Sequence, residues 1–477
     1  MSSAEEQFAA MRQVVHMTSR DDYLAAMLAQ PSPLGIGDRV RFDHSTGLWH
    51  VWNGIRWAPD LTTFVFELIR DRLFGEWLPN KVINPSTDSA KVLSTLMDSG
   101  KKTSVLKMLA SMPGIAMTGD EWDKDPYLIG FNNGILDLRT LSLDRAPDPN
   151  LLISRSTGVE WDDGADFKPF TDFLDDIMSH DPDMVDYVLR VLGYSMLGTN
   201  REQKFWMWVG AGSNGKGVLA RTVAKALGDY AATPPDTLYM RNKFGAASSD
   251  KPRPELLKLQ GARFTYMSEP QGGQFNEELL KAHSGNDPIE ARTLYSSRFK
   301  TFQPTHKIIF LTNDPPKTED VGPSMQRRVR IIWFMEDYRD PKRNDPTVEE
   351  RLKESRNLQG ALRAMAVAAN MYLTAGLPEP TKVLDWSQAY IAENDPISTF
   401  IATMCVEDRH AEVQSGELYK AFDAWCERSG VEEMTLNAFA RAMTRRFDRK
   451  VKHSASFYVG LRLRNLTDNL GEAEDGD

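Results

Sequence analysis

Residues 205–220 read FWMWVGAGSNGKGVLA, an apolar run followed by a glycine-rich segment and then by a helical pattern. FWMWV is typical of a strand that is buried on both faces, because apolar residues occupy every position. Four apolar residues then recur at helical spacing, namely Leu219, Val223, Ala226 and Leu227, before Gly228. The stretch therefore predicts a strand, a loop and a helix in that order, which points backbone N–H groups and the positive end of the helix at an anion.

The glycine-rich segment has the spacing G-x-x-x-x-G-K, which lacks only the final Ser or Thr of a phosphate-binding loop. Glycines let the backbone approach a phosphate, and Lys216 would reach the β- and γ-phosphates. We expect ATP and Mg²⁺ to bind at Gly210, Gly212, Ser213, Asn214, Gly215, Lys216, Gly217 and Val218. Gly217 stands where a hydroxyl usually binds the metal, and the alternative interpretation is a glycine-rich turn with an incidental lysine.

Three further apolar runs predict a largely parallel sheet: RFTYM (263–267), KIIFLT (307–312) and VRIIWF (329–334). Glu269 follows the first run and is the candidate carboxylate for activating water, with an indirect contact to the metal through water. Asn313 follows the second run and is placed to orient the attacking water. Arg327 and Arg328 precede the third run, where one of them would stabilise transition-state charge across a subunit interface, although each could be a solvated surface charge.

Length and composition indicate a globular chain with two or three domains. A chain of 477 residues exceeds the roughly 300 residues at which single cores stop growing. The net charge of −10 argues against a protein that coats nucleic acid over its whole surface, but a local basic track is compatible with it. There is no apolar run of about 18 residues, no secretory signal in MSSAEEQFAA, and only two cysteines. We therefore expect a cytoplasmic protein without a membrane partner.

The region before the loop predicts two hairpins and two helices. LWHVWNGIRW (48–57) favours a hairpin whose tryptophans pack a small sheet, with base stacking as the alternative role. FNNGILDLRTLSL (131–143) predicts a second hairpin. EWDKDP (121–126) indicates a loop rather than the paired carboxylates of a primase, so no primase activity is expected. Apolar spacing between residues 169 and 197 predicts two helices, broken at Asp181-Pro182.

The residues after the last apolar run predict a long helix at 356–376 that ends at Gly376, and a linker at 377–383. Three short helices are predicted by DPISTFIATMC, GELYKAFDAWCE and TLNAFARAMTRRF, and a strand pair by KVKHS and FYVGLRLR. Three helices and a hairpin in this order favour a winged-helix module. GEAEDGD is expected to be a disordered acidic tail.

A basic run lies within this C-terminal module. Eight cations accompany the single acid Asp448 between residues 441 and 464: Arg441, Arg445, Arg446, Arg449, Lys450, Lys452, Arg462 and Arg464. Phe439 and Met443 would face the core, so the arginines that follow would face outward. We predict that Arg445, Arg446, Arg449 and Lys452 contact DNA; a solvated basic face that balances the acidic tail is the alternative.

Together these segments resemble superfamily 3 helicases, which are ring-forming AAA+ ATPases. They are most similar to the ATPase of phage and plasmid primase-helicases, which is related to the poxvirus nucleoside triphosphatase. The motifs are GAGSNGKG, YMSEP, ELLKAHSGNDPIEARTLYSSRFKTFQPTHKIIFLTNDPP and QRRVRIIWF, and the resemblance covers about residues 120–465. It implies Lys216 for the phosphates, Glu269 as the acidic residue that activates water, Asn313 as the sensor and Arg327 or Arg328 as the arginine finger. Gly217 departs from the family pattern.

The resemblance implies an α/β fold with an AAA+ P-loop ATPase core and a mainly parallel sheet. An α+β and helical N-terminal region would precede this core, and a winged-helix domain would follow it. The expected boundaries are 1–118 for an accessory α+β domain, 119–200 for a helical collar-like segment, 201–384 for the ATPase core with its helical lid, 385–466 for the winged helix and 467–477 for the tail.

The resemblance also implies a DNA-contacting pore hairpin in the segment between Glu269 and Asn313. Its candidate residues are Lys281, Arg292, Arg298, Phe299 and Lys300, and a surface hairpin is the alternative. The implied function is an ATP-driven DNA helicase or translocase of a phage or mobile element, with 3′-to-5′ polarity. It would form a hexameric ring on single-stranded or forked DNA and work beside a separate primase. An origin-binding initiator and a small-molecule kinase with a phosphate-binding loop are the alternatives.

Overall fold

The computed structural model describes most of the chain, in the stretches 20–32, 35–72, 98–241, 253–270, 273–291, 300–340, 342–431, 433–453 and 455–465. Three residues predicted to contact DNA, Arg292, Arg298 and Phe299, lie outside the described residues, as does the tail at 467–477. Within the described stretches, no helix has both the length and the apolar character needed to cross a membrane.

The N-terminal region forms a small sheet with helices against it. Its elements are α1 (Asp21–Leu28), β1 (Val40–Asp43), β2 (Leu48–Trp52), β3 (Trp57–Pro59), α2 (Phe64–Asp71), α3 (Ser99–Leu109) and β4 (Ala116–Met117). The strand order is β3-β2-β1-β4, and Trp52 lies opposite Trp57, which confirms the first predicted hairpin. Trp57 is fully buried, and its indole N–H donates to the carbonyl of Pro149 at 2.8 Å. This tryptophan is therefore a packing residue.

A second small sheet and two helices lead to the glycine loop. They are β5 (Leu128–Phe131), β6 (Gly134–Asp137), β7 (Ser142–Asp144), α4 (Lys168–Ile177) and α5 (Pro182–Tyr194). Strands β5 and β6 pair antiparallel, which confirms the second predicted hairpin, and β7 adds a third strand. The predicted break between the helices is confirmed at Asp181, whose carboxylate accepts hydrogen bonds from the N–H groups of Asp183 and Met184 and caps α5.

The segment EWDKDP is irregular, as predicted. Asp123 accepts a hydrogen bond from the backbone N–H of Ser154 at 3.0 Å and another from its hydroxyl at 2.5 Å. Asp125 forms an ion pair with Arg139 at 3.1 Å. Because the two carboxylates are bound by different parts of the fold, they are not held as a pair.

A five-stranded parallel sheet forms the centre of the chain. Its region contains β8 (Phe205–Val209), α6 (Lys216–Leu227), β9 (Ala231–Ala232), β10 (Phe264–Ser268), α7 (Glu277–Ser284), β11 (Ile289–Ala291), β12 (Lys300–Phe302), β13 (Lys307–Thr312), α8 (Pro323–Gln326) and β14 (Val329–Trp333). The order is β14-β8-β13-β10-β9, with parallel pairing throughout, which confirms the predicted sheet. Strands β11 and β12 form a separate antiparallel pair.

Three helices follow the sheet: α9 (Val348–Leu352), α10 (Ser355–Ala375) and α11 (Thr381–Glu393). Helix α10 ends at Gly376, as predicted. The segment 377–383, predicted to be a linker, is instead bound to the sheet, and its last three residues belong to α11. Glu379 accepts hydrogen bonds from Arg330 at 2.5 and 2.9 Å and pairs with Lys204 at 3.1 Å. The proline-rich composition of the segment 377–383 suggested a linker and gave no sign of these partners.

Both faces of the central sheet are covered, which explains the uninterrupted apolar sequence of β8. Trp206 and Trp208 join a hydrophobic cluster that also contains residues of α4, α5 and α10. Phe205, Met207 and Val209 join a second cluster on the opposite face. Because successive side chains of a strand point to opposite faces, burial of both faces favours an apolar residue at every position.

The C-terminal module contains α12 (Pro396–Met404), β15 (Cys405–Gln414), α13 (Ser415–Ser429), α14 (Leu436–Thr444), β16 (Arg449–Lys452) and β17 (Ala455–Leu463). The three predicted helices and the β16–β17 hairpin are confirmed. The sequence did not indicate β15, which pairs with β17 and gives the order β15-β17-β16. Its sequence, CVEDRHAEVQ, is mostly polar and therefore lacks the apolar alternation of a half-buried strand.

Candidate nucleotide site

The register of the central sheet brings three predicted site residues to one edge. Thr312 of β13 lies opposite Val209 of β8, and Leu311 lies opposite Ser268 of β10. The glycine loop, Asn313 and Glu269 follow the carboxyl ends of these three neighbouring strands. In open parallel sheets, ligands bind at this edge.

The glycine loop is packed between two other parts of the fold, and at two positions this packing explains why the residue is a glycine. Gly215 has a φ of +84°, and a Cβ atom there would overlap the side chain of Ile177. A Cβ atom at Gly210 would overlap the Asn214 amide. The carbonyl of Ser213 accepts a hydrogen bond from the N–H of Tyr338 at 2.8 Å. The loop conformation therefore depends on residues from α4 and from the segment after β14.

The remaining loop residues follow the predicted arrangement. Gly212 and Ser213 have φ values of +90° and +50°. Lys216, Gly217 and Val218 begin α6, so the first turn of this helix directly follows the loop. The backbone N–H groups of a first helical turn have no partners within the helix, which suits an anion.

Lys216 is buried and lies at the centre of the site. Its Nζ donates to the carbonyl of Gly210 at 2.8 Å, to Asn313 Oδ1 at 2.9 Å and to Asn214 Oδ1 at 3.4 Å. Burial lowers the pKa of Lys216, while the Glu269 carboxylate acts to raise it. The structure thus links three predicted site residues: Asn313 through a direct hydrogen bond and Glu269 through charge.

Glu269 is exposed and has a left-handed backbone, with φ at +49°. Its N–H donates to the carbonyl of Leu311 at 2.7 Å, which fixes the turn after β10. Left-handed backbone is uncommon for a residue other than glycine and often occurs at functional sites. The N–H of the preceding Ser268 donates to the carboxylate of Asp236 at 3.2 Å, which brings an acid that the sequence did not single out near this edge.

The side chains near Gly217 do not fit direct coordination of magnesium at that position. Gly217 offers no side-chain oxygen, and Nη1 of Arg221 lies 2.9 Å from where its Cβ atom would be. The described residues contain no group of three or more His, Cys, Asp or Glu side chains that could hold a metal ion. The described residues therefore offer no such direct donor set, and binding of Mg²⁺ stays a prediction.

The two candidate finger arginines have different surroundings. Arg327 is exposed at the end of α8. Arg328 is only 8% exposed, and its Nη1 donates to the carbonyl and hydroxyl of Ser324, each at 2.9 Å. Of the two, Arg327 has the exposure that contact with another subunit requires.

The two described candidates from the predicted pore segment are bound within the chain. Lys281 forms an ion pair with Asp320. Lys300 donates to the hydroxyl of Ser45 at 2.5 Å, and burial lowers its pKa although Asp43 acts to raise it. Both lysines therefore have intramolecular partners, and their contact with DNA stays a prediction. Their partners lie 39 and 255 positions away in the sequence, so local patterns could not reveal them.

The C-terminal basic residues also divide into bound and exposed groups. Arg446 was predicted to face outward, but it donates to both carboxylate oxygens of Asp395 at 2.8 Å. Lys452 pairs with Glu412 of β15 at 2.5 Å, and Arg449 donates to the Ser456 hydroxyl at 2.6 Å.

Arg445 remains exposed and lines a cleft of 1830 Å³ between α7 and the C-terminal module. Lys281, Lys317 and Arg441 line the same cleft, together with acids that include Glu277 and Glu278. The structure therefore brings the predicted DNA residues Lys281 and Arg445 to one cleft whose charge is mixed.

Comparisons with known proteins match both ends of the chain. The family model described as "D5 N terminal like" matches residues 22–179, and "Poxvirus D5 protein-like" matches residues 392–459. "Putative helicase L207/L206" of Acanthamoeba polyphaga mimivirus is 27% identical over 421 residues, covering 80% of this chain and 43% of that protein. "Putative primase C962R" of African swine fever virus (isolate Tick/Malawi/Lil 20-1/1983) is 25% identical over 203 residues, covering 40% of this chain and 20% of that protein.

Among solved structures, the apo structure of the NrS-1 C-terminal region is similar with a TM-score of 0.47 at 10% identity, covering 89% of this chain and 96% of that chain. The chain spans less than half the length of these two curated relatives. Because both helicase and primase names occur among the relatives, the expected lack of primase activity stays a prediction. The matches confirm the relationship indicated by the motifs: two segments of the chain are similar to D5 family domains, and the chain as a whole is similar to viral putative helicases and primases.

Proposed function

We propose that this chain is an ATP-driven DNA helicase or translocase with an AAA+ core and a winged-helix module. The observation that carries the proposal is the meeting of Lys216, Asn313 and Glu269 at the carboxyl edge of one parallel sheet. Hydrolysis of a nucleoside triphosphate requires positive charge at the phosphates, a group that orients water and a base that takes the proton of the water. A lysine, an amide and a carboxylate supply these three requirements.

In the proposed reaction, a water molecule attacks the γ-phosphorus of ATP, the bond to the bridging oxygen breaks and ADP leaves. Glu269 accepts the proton of the water, and Asn313 orients the water through its amide. Lys216 exchanges its bonds to Gly210 and Asn313 for bonds to phosphate oxygens. Nucleotide binding would thereby free the Asn313 amide for its role, which makes water positioning depend on an occupied site.

The proposal extends to a hexameric ring. Arg327 is exposed at the end of α8, where its guanidinium could reach the γ-phosphate of a neighbouring subunit. In the C-terminal module, Arg445 and Arg449 would follow the phosphates of forked DNA without reading bases. The 3′-to-5′ polarity and a separate primase partner are expectations that follow from the family.

Phosphate release with and without single-stranded DNA tests this function. We expect DNA-stimulated turnover that Lys216→Ala abolishes, because the variant loses the cation at the phosphates. Lys225→Ala, an exposed lysine of the same helix, is the matched control and should retain turnover. Turnover that persists in Lys216→Ala, or that DNA never stimulates, would contradict the proposal.

The absence of a side-chain oxygen at Gly217 favours one second candidate, an origin-binding initiator that uses ATP for assembly rather than turnover. That protein would bind ATP tightly and release no phosphate under any DNA condition. A small-molecule kinase would consume ATP at a rate that is indifferent to DNA and would elute as a monomer. The same assay, combined with size-exclusion chromatography, therefore separates the three functions.

A further inference from the structure

The surroundings of Gly217 contain a cation where related loops have a hydroxyl. Residues 217 and 221 are four apart, so they share one face of α6. Nη1 of Arg221 lies 2.9 Å from the position that a Cβ atom of Gly217 would take, and Cζ lies 3.6 Å from it. Any side chain at residue 217 would compete with this guanidinium for space. The glycine and the arginine are therefore spatially coupled.

A carboxylate fixes the guanidinium in this orientation. Nε and Nη2 of Arg221 donate to the two oxygens of Glu349 at 2.8 and 2.6 Å, a bidentate geometry that leaves little rotational freedom. Glu349 also pairs with Lys353, and these contacts lower the pKa of Glu349 to about 2. Nη1 has no hydrogen-bond partner among the residues that the structure describes, and the side chain of Arg221 is 46% exposed. One donor group is thus held in place at the first turn of α6.

We propose that Arg221 binds the triphosphate through Nη1 and supplies positive charge at the position where related loops hold a metal through a hydroxyl. This inference rests on the proposed nucleotide site and specifies how that site holds its ligand. A guanidinium hydrogen bond to phosphate is charge-assisted and needs no bound metal. Gly217 is then explained, because a hydroxyl-bearing side chain there would displace the arginine.

The proposal predicts a change in the metal dependence of nucleotide binding. In the natural chain, Arg221 and Mg²⁺ neutralise the same phosphate charge, so Arg221 compensates when Mg²⁺ is removed. In Arg221→Ala only the metal can neutralise that charge, and removing Mg²⁺ with a chelator should therefore weaken binding of the variant more than binding of the natural chain. We expect the ratio of dissociation constants without and with Mg²⁺ to be about tenfold larger in the variant, which corresponds to one charge-assisted hydrogen bond.

The experiment titrates the full chain with a fluorescent ATP analogue in Mg²⁺ and in EDTA. Lys225→Ala is the matched control, since it removes an exposed cation of α6 away from the loop, and it should keep the ratio of the natural chain. Arg221→Lys preserves charge without the two-pronged contact and should give an intermediate ratio. Gly217→Ser combined with Arg221→Ala should bind more tightly in Mg²⁺ than Arg221→Ala alone, because the hydroxyl can then hold the metal.

The results separate this inference from the proposed function. If the natural chain does not bind the analogue in Mg²⁺, the proposed nucleotide site itself is wrong. If it binds and Arg221→Ala shows the same ratio as Lys225→Ala, the nucleotide site stands but the role of Arg221 is overturned. Thermal unfolding of each variant shows whether it is folded. If Arg221→Ala does not fold, the ratio of dissociation constants of Arg221→Lys is compared with that of the natural chain instead.

Discussion

The two ends of strand β13 each lie beside a buried lysine, and the partners of these lysines differ. At the amino end, Lys307 is fully buried and donates to the backbone carbonyls of Leu197 and Thr305. Its Nζ also lies 4.4 Å from the centre of the Tyr194 ring. At the carboxyl end, Lys216 is bound by the glycine loop and by Asn313, next to the exposed Glu269.

The difference shows that burial alone does not identify a functional lysine. Backbone carbonyls within a packed core cannot leave Lys307 without breaking the fold, and burial lowers the pKa of Lys307 well below its ordinary value. The neutral amide of Asn313 and the carbonyl of Gly210 can release Lys216 when an anion arrives, because an anion binds a lysine more strongly. Under the proposed function, the amino end of the sheet serves stability and the carboxyl end serves chemistry.

Among substitutions at the carboxyl end of the sheet, Glu269→Gln should reduce the rate of ATP hydrolysis most. The amide cannot accept the proton of the attacking water, so we expect kcat for ATP hydrolysis to fall by about 10²- to 10⁴-fold. The melting temperature should stay unchanged, because Glu269 is exposed. Glu278→Gln, an exposed glutamate of α7, is the control. Equal kcat values for the two variants would remove Glu269 from the reaction.

Lys307→Ala should have the opposite effect to Glu269→Gln: stability should fall while hydrolysis is retained. The variant loses a buried side chain and leaves the carbonyls of Leu197 and Thr305 without their donor, so we expect a loss of about 2–4 kcal/mol of unfolding free energy. Urea unfolding followed by tryptophan fluorescence measures it, with the exposed Lys342→Ala as control. Hydrolysis per folded molecule should be retained. A stable but inactive variant would contradict the division between the two ends.

The buried histidines near the amino end of β13 also lead us to expect that stability depends on pH. His283 donates to or accepts from the Tyr239 hydroxyl at 3.1 Å, beside buried His306, and burial together with the charge of Arg253 lowers the pKa of His283 to about 4. The unfolded chain has a histidine pKa of about 6.5, so it binds the proton first as pH falls. Stability is therefore fully present above about pH 6.5 and decreases until about pH 4, by at most about 3 kcal/mol for this group.

Unfolding free energies measured between pH 7 and pH 4 test this expectation. His283→Asn should have a flatter pH profile than the natural chain, whereas the exposed control His410→Asn should keep the natural slope. Identical slopes for His283→Asn and the natural chain would mean that His283 does not titrate as its burial implies.

The carboxyl end of the sheet was largely predictable from sequence, because its elements are encoded by short continuous stretches of the chain. FWMWV, the glycine spacing and the helical face that follows occupy one continuous stretch, so the pattern alone encodes strand, loop and helix. Glu269 and Asn313 were identifiable because each directly follows an apolar strand. Parallel pairing then brings the ends of those strands together without further information.

The intramolecular contacts that the sequence did not reveal involve partners that are distant along the chain. Lys300 meets Ser45 of the N-terminal sheet, and Arg446 meets Asp395 at the start of α12. Neither Ser45 nor Asp395 falls within a sequence window around its cation, so local patterns do not signal the contact. Arg221 was missed for a different reason, since an exposed arginine four residues after Gly217 resembles any solvated helical charge until its contact with Glu349 is known.

Two adjacent arginines that directly follow α14 extend the comparison to the C-terminal module. Arg446 is bound to Asp395, which also caps α12 by accepting a hydrogen bond from the N–H of Ser398 at 3.1 Å, whereas Arg445 is exposed to the cleft. Arg446→Ala should therefore lower the unfolding free energy of the module by about 1–2 kcal/mol, measured by calorimetry. Arg445→Ala should leave stability unchanged and reduce the slope of log affinity for forked DNA against log salt by about 1.

Each arginine is the control for the other, because the two substitutions remove the same charge from neighbouring positions. If Arg446→Ala alone changes the salt dependence while stability is unaffected, its bond to Asp395 must open when DNA binds. If Arg445→Ala alone lowers stability, the exposed and bound roles are reversed. The expected pattern is a loss of stability in Arg446→Ala and a loss of salt dependence in Arg445→Ala. Only this pattern shows that intramolecular partners decide which basic residues remain available to nucleic acid.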